Sequence, residues 1–400
     1  MKKHTLLIKN ASVIANETIL ERHSVYCDGG SIVNILPEGM DQALVADETV
    51  DASGMYLSPG FIDLHIHGAR NLLVDNGREH LEELCKVLPQ YGVTGFLPTV
   101  CPAPLEEDDL KLLTSLSEAK SEGTAILGFF LEGHFLALTG AIRDIPSDRS
   151  RERADKLIDA LKPYKAVFGI SPEVHGIAEL LPYMTKQGYP AFITHTEATV
   201  EETQKAIMAG AVHATHFYDV FPYPGVKDLG VRTCGTVEAI LASPETSVDF
   251  ILDGEHVHPI AVKMALRCKG RDKVCLVTDA NINAGLPPGR YKGIGDTDID
   301  VSYEGGPARM GENSRYPGSL AGSGLTMDRA VRNAVKLLEV DIPQAVAMAS
   351  SNPARVLGLQ KSKGYINEGY DADMVLLDQE LKVVRCWVAG RCCFGNSEKG

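Results

Sequence analysis

The chain has 400 residues, of which 44% are apolar and 23% are charged, a composition typical of soluble globular proteins. Its 39 basic and 53 acidic residues give a net charge of −14, which argues against nucleic acid or an anionic membrane surface as a partner. The sequence contains no run of about 18 apolar residues, the length that a membrane-spanning helix needs. The nine cysteines include no Cys-x-x-Cys pair, which indicates reduced thiols and predicts a cytoplasmic protein.

Both ends of the chain contain short apolar runs separated by turns. Several runs lie around Asp28-Gly29-Gly30, and two more lie at 373–378 and 382–390. This pattern is typical of short antiparallel strands. We therefore predict a small β-sandwich domain built from both termini, residues 1–55 and 362–400, beside a hydrolase barrel domain of residues 56–361.

The middle of the chain alternates short apolar strands with helical stretches, which is typical of parallel βα units. The eight predicted strands are 60–66, 94–100, 125–131, 166–171, 191–194, 212–215, 248–252 and 274–278. Predicted helices between them include 109–121, 151–161, 200–209 and 259–267. Eight such units predict an α/β fold, a (β/α)8 TIM barrel with its functional groups at the carboxyl ends of the strands. The Gly-rich stretch 285–316 is predicted to be a flap or β-excursion.

Polar side chains stand at five of the predicted strand ends. The first strand ends in a His-x-His pattern, and its two imidazoles share a face because residues two apart on a strand point the same way. The candidates are His65, His67, Glu132, His195, His216 and Asp279, with His134 two residues after Glu132. Since a barrel brings its strand ends to one mouth, the set predicts a divalent metal centre.

Several short motifs surround these residues. The longest is Pro59-Gly60-Phe61-Ile62-Asp63-Leu64-His65-Ile66-His67-Gly68, which resembles the amidohydrolase superfamily signature. The others are Leu131-Glu132-Gly133, Ala214-Thr215-His216, Asp253-Gly254-Glu255-His256, Thr278-Asp279-Ala280, Leu320-Ala321-Gly322-Ser323 and the tail motif Asn352-Pro353-Ala354-Arg355. In this order they resemble the N-acetylglucosamine-6-phosphate deacetylase family over nearly the whole chain.

The resemblance implies a metal-dependent amidohydrolase that removes the acetyl group from an N-acetyl amino-sugar phosphate in amino-sugar catabolism. It implies one metal ion held by Glu132, His195 and His216. The pair His65 and His67 matches residues that hold a second ion in some members, so one or two ions are expected. We expect zinc, although iron, manganese and cobalt also suit these ligands. Strand four lacks the carboxylated lysine common in the superfamily, which leaves Glu132 as the bridging carboxylate.

Catalytic roles also follow from the resemblance. Asp279 is expected to accept a proton from water and return it to the leaving amine, with a role as plain metal ligand as the alternative. The family's oxyanion histidine falls in a stretch that here reads Thr139-Gly140-Ala141-Ile142. His134 is the candidate to replace it, with a supporting role behind the ligands or a solvated position as the alternative.

Substrate contacts are implied at Asp219, Arg232, His256 and the loop Leu320-Ala321-Gly322. Arg232 matches an arginine that family members supply from a neighbouring subunit to the phosphate, which implies a homodimer. Asp219 stands where the family has asparagine, and a carboxylate repels a phosphate. Another N-acetylated sugar or amide therefore stays open as the substrate.

Two further functions stay open. A deaminase of the same superfamily shares the His-x-His motif and the aspartate of strand eight, and it needs a glutamate near the strand-five histidine. Glu197 stands two residues after His195. A non-catalytic scaffold is the other alternative, against which the complete set of candidate ligands weighs.

Overall fold

The computed structural model describes residues 4–141, 146, 148–225, 229–294 and 297–395. Within these ranges, no helix is both long enough and apolar enough to cross a membrane.

Eight parallel strands form a nearly closed barrel, which confirms the predicted fold class. Barrel strands one to eight are, in chain order, Phe61–Ile66, Val93–Val100, Phe129–Phe135, Ala166–Ile170, Ala191–Ile193, His213–Ala214, Ser247–Ile251 and Val274–Val277. Each strand pairs in parallel with the next, and Ala125–Ile126 adds a short piece beside strand two. A parallel bridge between Ile66 and Ala280 connects strand one to the chain just after strand eight.

Helices connect the barrel strands. The α-helices are Arg78–Val87, Glu106–Ser117, Arg151–Ala160, Ile177–Lys186, Val200–Met208, Thr236–Ala242, Pro259–Lys269, Met327–Asn333, Ile342–Ala349 and Ser351–Val356, with short 3-10 or π segments at Val74–Asn76, Leu88–Tyr91 and Ala334–Leu338. The start of the fifth helix is set by a capping box. Thr199 Oγ1 accepts the Glu202 backbone N–H at 3.2 Å, and the Glu202 carboxylate accepts the Thr199 N–H at 2.9 Å.

Strands from both ends of the chain form a second sheet. Its eight strands are Thr5–Ala15, Thr18–Asp28, Ser31–Pro37, Glu48–Asp51, Tyr56–Pro59, Met374–Leu377, Val383–Val388 and Arg391–Phe394. The two ends meet where Tyr56–Pro59 pairs antiparallel with Met374–Leu377. A separate apolar core containing the buried Trp387 lies on this sheet. The sheet confirms the additional unit built from the termini, while the domain boundaries stay a prediction.

The segment after strand eight contains the antiparallel strands Gly289–Lys292, Asp298–Val301 and Arg309–Met310. Its side chains Ile299 and Ala308 pack in a small apolar cluster with Leu73. This β-excursion therefore lies beside the loop that follows strand one, where the His-x-His pair ends.

Candidate active site

Three candidate residues adopt left-handed backbone conformations just beyond their strands. The φ angle is 48° at His195, 33° at His216 and 44° at Asp279, and each residue is the second after its strand. Such angles are costly for residues with a side chain, and they gather at functional sites where the surrounding structure enforces them. The chain therefore changes direction at the same place, two residues after the end of strands five, six and eight.

The Glu132 carboxylate lies between two pairs of imidazoles. Its Oε2 is 3.4 Å from His65 Nε2 and 3.1 Å from His67 Nε2. Its Oε1 is 3.0 Å from His216 Nε2 and 3.3 Å from His195 Nε2. All five residues are buried. Each carboxylate oxygen therefore faces its own histidine pair.

Asp279 faces the first of these pairs. Its Oδ1 is 3.4 Å from His65 Nε2 and 3.5 Å from His67 Nε2. Ligand atoms bound at ~2.0–2.1 Å to a tetrahedral zinc ion stand ~3.3 Å from one another. The observed separations match the edges of such a site, so the donor set fits a divalent metal.

The charges at the centre are strongly coupled. Burial raises the pKa of the Glu132 carboxyl, but the surrounding imidazoles outweigh burial and hold this pKa well below its usual range. Burial lowers the pKa values of His67 and His216, but the Glu132 carboxylate outweighs it and raises them to about 9 and about 10. Because a metal binds the neutral imidazole, loading the centre would release protons.

The loop after strand three holds His195 in place. The Leu138 carbonyl oxygen lies 3.0 Å from His195 Nδ1. Gly140 has a φ of 54°, and a Cβ there would lie 2.6 Å from His195 Cε1. Only glycine meets both demands at this point. Ile142, where the family's oxyanion histidine was sought, lies outside the described residues.

The centre opens into a cavity of about 440 Å³. Predicted site residues form much of its wall, namely His67, Glu132, His195, His216, Asp219, His256, Asp279, Leu320, Ala321 and Gly322. The β-excursion contributes the apolar side chains Ile294, Ile299 and Met310. His65 lies beneath this wall, fully buried. Among the described residues, no arginine or lysine lines the cavity.

The two candidates for substrate contact, His256 and Asp219, differ in the charge that each brings to the cavity wall. Burial lowers the pKa of His256, but Asp253, whose Oδ2 lies 2.7 Å from His256 Nδ1, outweighs it and raises this pKa. The raised pKa favours the protonated imidazole, the form that would suit an anionic substrate group. Burial raises the pKa of Asp219 to about 6, and its Oδ2 has no hydrogen-bond partner within the described part of the chain.

Two predicted site residues lie away from the cavity. The His134 Nε2 atom lies 3.1 Å from Asp109 Oδ2, and Arg153 contacts the same carboxylate. This buried cluster does not support the oxyanion role predicted for His134. The Arg232 side chain is 75% exposed and pairs with Glu238 at 2.8 Å, so it does not reach the cavity of its own chain.

The sequence pattern did not point to several cavity residues, among them Asp75, Cys101 and Asn281. Asp75 Oδ1 accepts the Cys101 backbone N–H at 3.0 Å, and burial raises the Asp75 pKa to about 6. The ligand atoms of His67, Asp75 and Cys101 all lie within 4.8 Å of one another. Cys101 directly follows strand two, so the strand-end rule had the signal to find it. Asp75 lies in the short 3-10 segment Val74–Asn76, outside the strand ends, and the strand pattern did not point to it.

Comparison with known proteins places the chain in a family. Residues 56–393 match the amidohydrolase family. The chain belongs to this family. It is 30% identical over 394 residues to an N-acetylgalactosamine-6-phosphate deacetylase of Escherichia coli O157:H7, covering 97% of this chain and 99% of that protein. It is 32% identical over 349 residues to an N-acetylglucosamine-6-phosphate deacetylase of Vibrio furnissii, covering 84% and 83%.

Solved structures agree with these relatives. The N-acetylglucosamine-6-phosphate deacetylase of Pasteurella multocida matches with a TM-score of 0.84 and 26% identity, over 97% of this chain and 99% of that one. The enzyme of Mycobacterium smegmatis in complex with N-acetyl-D-glucosamine-6-phosphate matches with the same score and identity, over 98% and 100%. The predicted family is confirmed, and this amidohydrolase is a hydrolase that acts on amide bonds.

Proposed function

We propose that this amidohydrolase removes the acetyl group from an N-acetyl amino-sugar 6-phosphate. The observation that carries the proposal is the position of Glu132, with one oxygen toward each histidine pair and the cavity in front of it. The curated relatives, deacetylases of N-acetylglucosamine 6-phosphate and N-acetylgalactosamine 6-phosphate, support the substrate class.

Two sets of ligands would hold the metal. Glu132, His195 and His216 form one set, and His65 and His67 form the other together with the second oxygen of Glu132. A bound divalent ion supplies a Lewis acid that polarises the amide carbonyl and makes water a stronger acid. We propose zinc as the ion. Iron, manganese and cobalt also bind imidazole and carboxylate ligands.

Asp279 is the acid–base group of the proposal. Its side chain is 14% exposed, whereas His65 and His67 behind it are buried. It therefore sits at the border between the ligands and the cavity, from which it would reach a water molecule and the amide nitrogen of a bound substrate. A carboxylate there accepts a proton from the attacking water and returns it to the amine as the C–N bond breaks.

Recognition of the phosphate is expected to involve a second copy of the chain. Within the described residues, His256 lines the cavity with a raised pKa that favours its cationic form, and no arginine or lysine lines the cavity beside it. The exposed Arg232 is available to the cavity of a neighbouring copy, which supports a homodimer. All nine cysteines are free thiols, in keeping with the proposed cytoplasmic location.

An assay of the released products tests the proposal. The purified chain is incubated with N-acetylglucosamine, N-acetylgalactosamine and their 6-phosphates, and acetate and ammonia are measured separately. We expect acetate from the phosphorylated sugars, loss of activity with a chelator and recovery with zinc. Ammonia without acetate would favour a deaminase, against which the exposed Glu197 outside the cavity already argues. No product from either phosphorylated sugar would contradict the proposal.

A further inference from the structure

Behind His65, a chain of hydrogen bonds runs through barrel strands six and seven. His65 Nδ1 lies 3.3 Å from Thr215 Oγ1, which lies 2.9 Å from Asp249 Oδ2. Asp249 Oδ2 lies 2.8 Å from His213 Nε2. All four side chains are fully buried, and none of them lines the cavity. The chain of bonds therefore reaches the metal centre from behind, out of contact with substrate.

The direction of these bonds follows from the groups involved. An ionised Asp249 can only accept, so the single hydroxyl proton of Thr215 goes to it. The Thr215 oxygen is then left as an acceptor toward His65, which must carry a proton on Nδ1. The Nε2 lone pair of His65 consequently faces Glu132 and Asp279, where a metal would bind.

Asp249 also connects to the second histidine pair. Its Oδ1 accepts the backbone N–H of His216, and its backbone carbonyl accepts the N–H of Phe217 at 2.9 Å. One buried carboxylate on strand seven is thus tied to His65 through Thr215 and to His216 directly. These two histidines face different oxygens of Glu132.

We infer that Thr215 and Asp249 are positioning residues for metal binding, because they hold His65 in the tautomer protonated on Nδ1. The inference rests on the metal centre of the proposed function. It differs from a purely structural role, in which the same bonds would stabilise the barrel without changing the affinity of His65 for a metal. Partners of this kind, one step behind the ligand, typically contribute 10–100-fold to metal affinity.

The variant Thr215→Val keeps the branched shape and removes the hydroxyl. We expect its Zn²⁺ affinity, measured by competition with a chromophoric chelator, to fall by roughly 10–100-fold. Thr215→Ser restores the hydroxyl and should restore the affinity. Thr124→Val is the matched control, because Thr124 is also buried and donates one hydrogen bond, to the Val93 carbonyl at 2.6 Å, away from the centre. It should lose thermal stability without losing Zn²⁺ affinity.

Unchanged Zn²⁺ affinity in a folded Thr215→Val chain, or an equal loss in Thr124→Val, would overturn the inference while leaving the proposed function intact. A second measurement tests the inference even if Thr215→Val does not fold or the unaltered chain binds no zinc. Long-range ¹H–¹⁵N spectra of the ¹⁵N-histidine-labelled chain, taken above the titration range of imidazole and assigned with His65→Asn, should show His65 protonated on Nδ1. Protonation on Nε2 would overturn the inference.

Discussion

The Nε2 atoms of His65 and His67 lie 3.2 Å apart. Two neutral imidazoles cannot face each other this closely through their lone pairs without repulsion, so a proton or a cation must lie between them. Asp279 and Glu132 each direct an oxygen at the same two nitrogens. Two carboxylate oxygens and two imidazole nitrogens thus meet at one point. A divalent cation bound there would stabilise this concentration of donor atoms.

Asp279→Asn separates the proton-transfer role from a role as ligand. The amide keeps the size of the side chain but cannot accept a proton, so turnover should fall by about 10²–10⁴-fold. Metal content, measured by mass spectrometry of the purified chain, should stay near that of the unaltered protein. Metal lost in parallel with activity would instead identify Asp279 as an essential ligand.

Gly140→Ala tests the close approach of the loop to His195. The added Cβ would lie 2.6 Å from the imidazole, and the φ of 54° adds backbone strain. We expect His195 to be displaced, with reduced metal content and turnover. Gly39→Ala is the control, because Gly39 also has a positive φ but has no atom within 4 Å of the added Cβ. Equal metal content in the two variants would show that the contact with His195 is unimportant.

Much of this site could be predicted because it depends on strand ends. Eight apolar strands at regular spacing set the barrel, and a barrel brings the residues after its strands together whatever the helices do. His65, Glu132 and Asp279 are far apart in sequence but follow this rule. Their convergence therefore needed only the approximate positions of the strands.

The position of His134 could not be predicted in this way. Glu132 and His134 are two residues apart on strand three, so simple alternation places them on the same face. Gly133 has a φ of 118°, and the pairing of strand three shifts register between Leu131 and Phe135. This irregularity breaks the alternation, and His134 turns to Asp109 on the neighbouring helix. The isolated Gly133 is the one sequence signal of such a bulge, but it does not say to which side His134 turns.

Asp109→Asn tests the buried cluster that holds His134. Burial raises the Asp109 pKa, but His134 and Arg153 outweigh it and lower the pKa. Because the folded pKa lies below the unfolded value of ~3.9, this stabilisation is present above about pH 4 and is lost as the pH falls through the folded pKa. The variant leaves the buried Arg153 with only the partly exposed Glu106, 3.6 Å away, as a countercharge, so the free energy of unfolding at pH 7 should fall by about 1–3 kcal/mol.

Urea denaturation at several pH values measures this effect. The difference in free energy of unfolding between the Asp109→Asn variant and the unaltered chain should narrow below about pH 4. Below this pH the Asp109 carboxyl of the unfolded chain begins to bind its proton. Asp108→Asn, an exposed neighbour on the same helix, is the control and should be close to the unaltered chain. If the two variants are equally stable at pH 7, the cluster does not contribute as described.

Phosphate recognition is tested by two changes with opposite signs. Arg232→Ala should raise the Michaelis constant for phosphorylated sugars more than it lowers turnover, with a loss of roughly tenfold or more in specificity, since a charge-assisted contact contributes about 1.5–3 kcal/mol. Asp219→Asn removes a carboxylate from the cavity wall and should favour phosphorylated over neutral sugars. The Michaelis constant and turnover are measured for each N-acetyl sugar with and without its 6-phosphate, in each variant and in the unaltered chain. An unaltered chain that prefers neutral sugars, with no effect of Arg232→Ala, would contradict phosphate binding.

We propose that the Glu132 carboxylate would hold a divalent metal ion at each of the two histidine pairs. The most direct measurement is an anomalous difference map from crystals of the unaltered chain loaded with zinc. We predict two peaks, one beside Oε2 near His65 and His67 and the other beside Oε1 near His195 and His216. A single peak, or two peaks away from Glu132, would contradict the account.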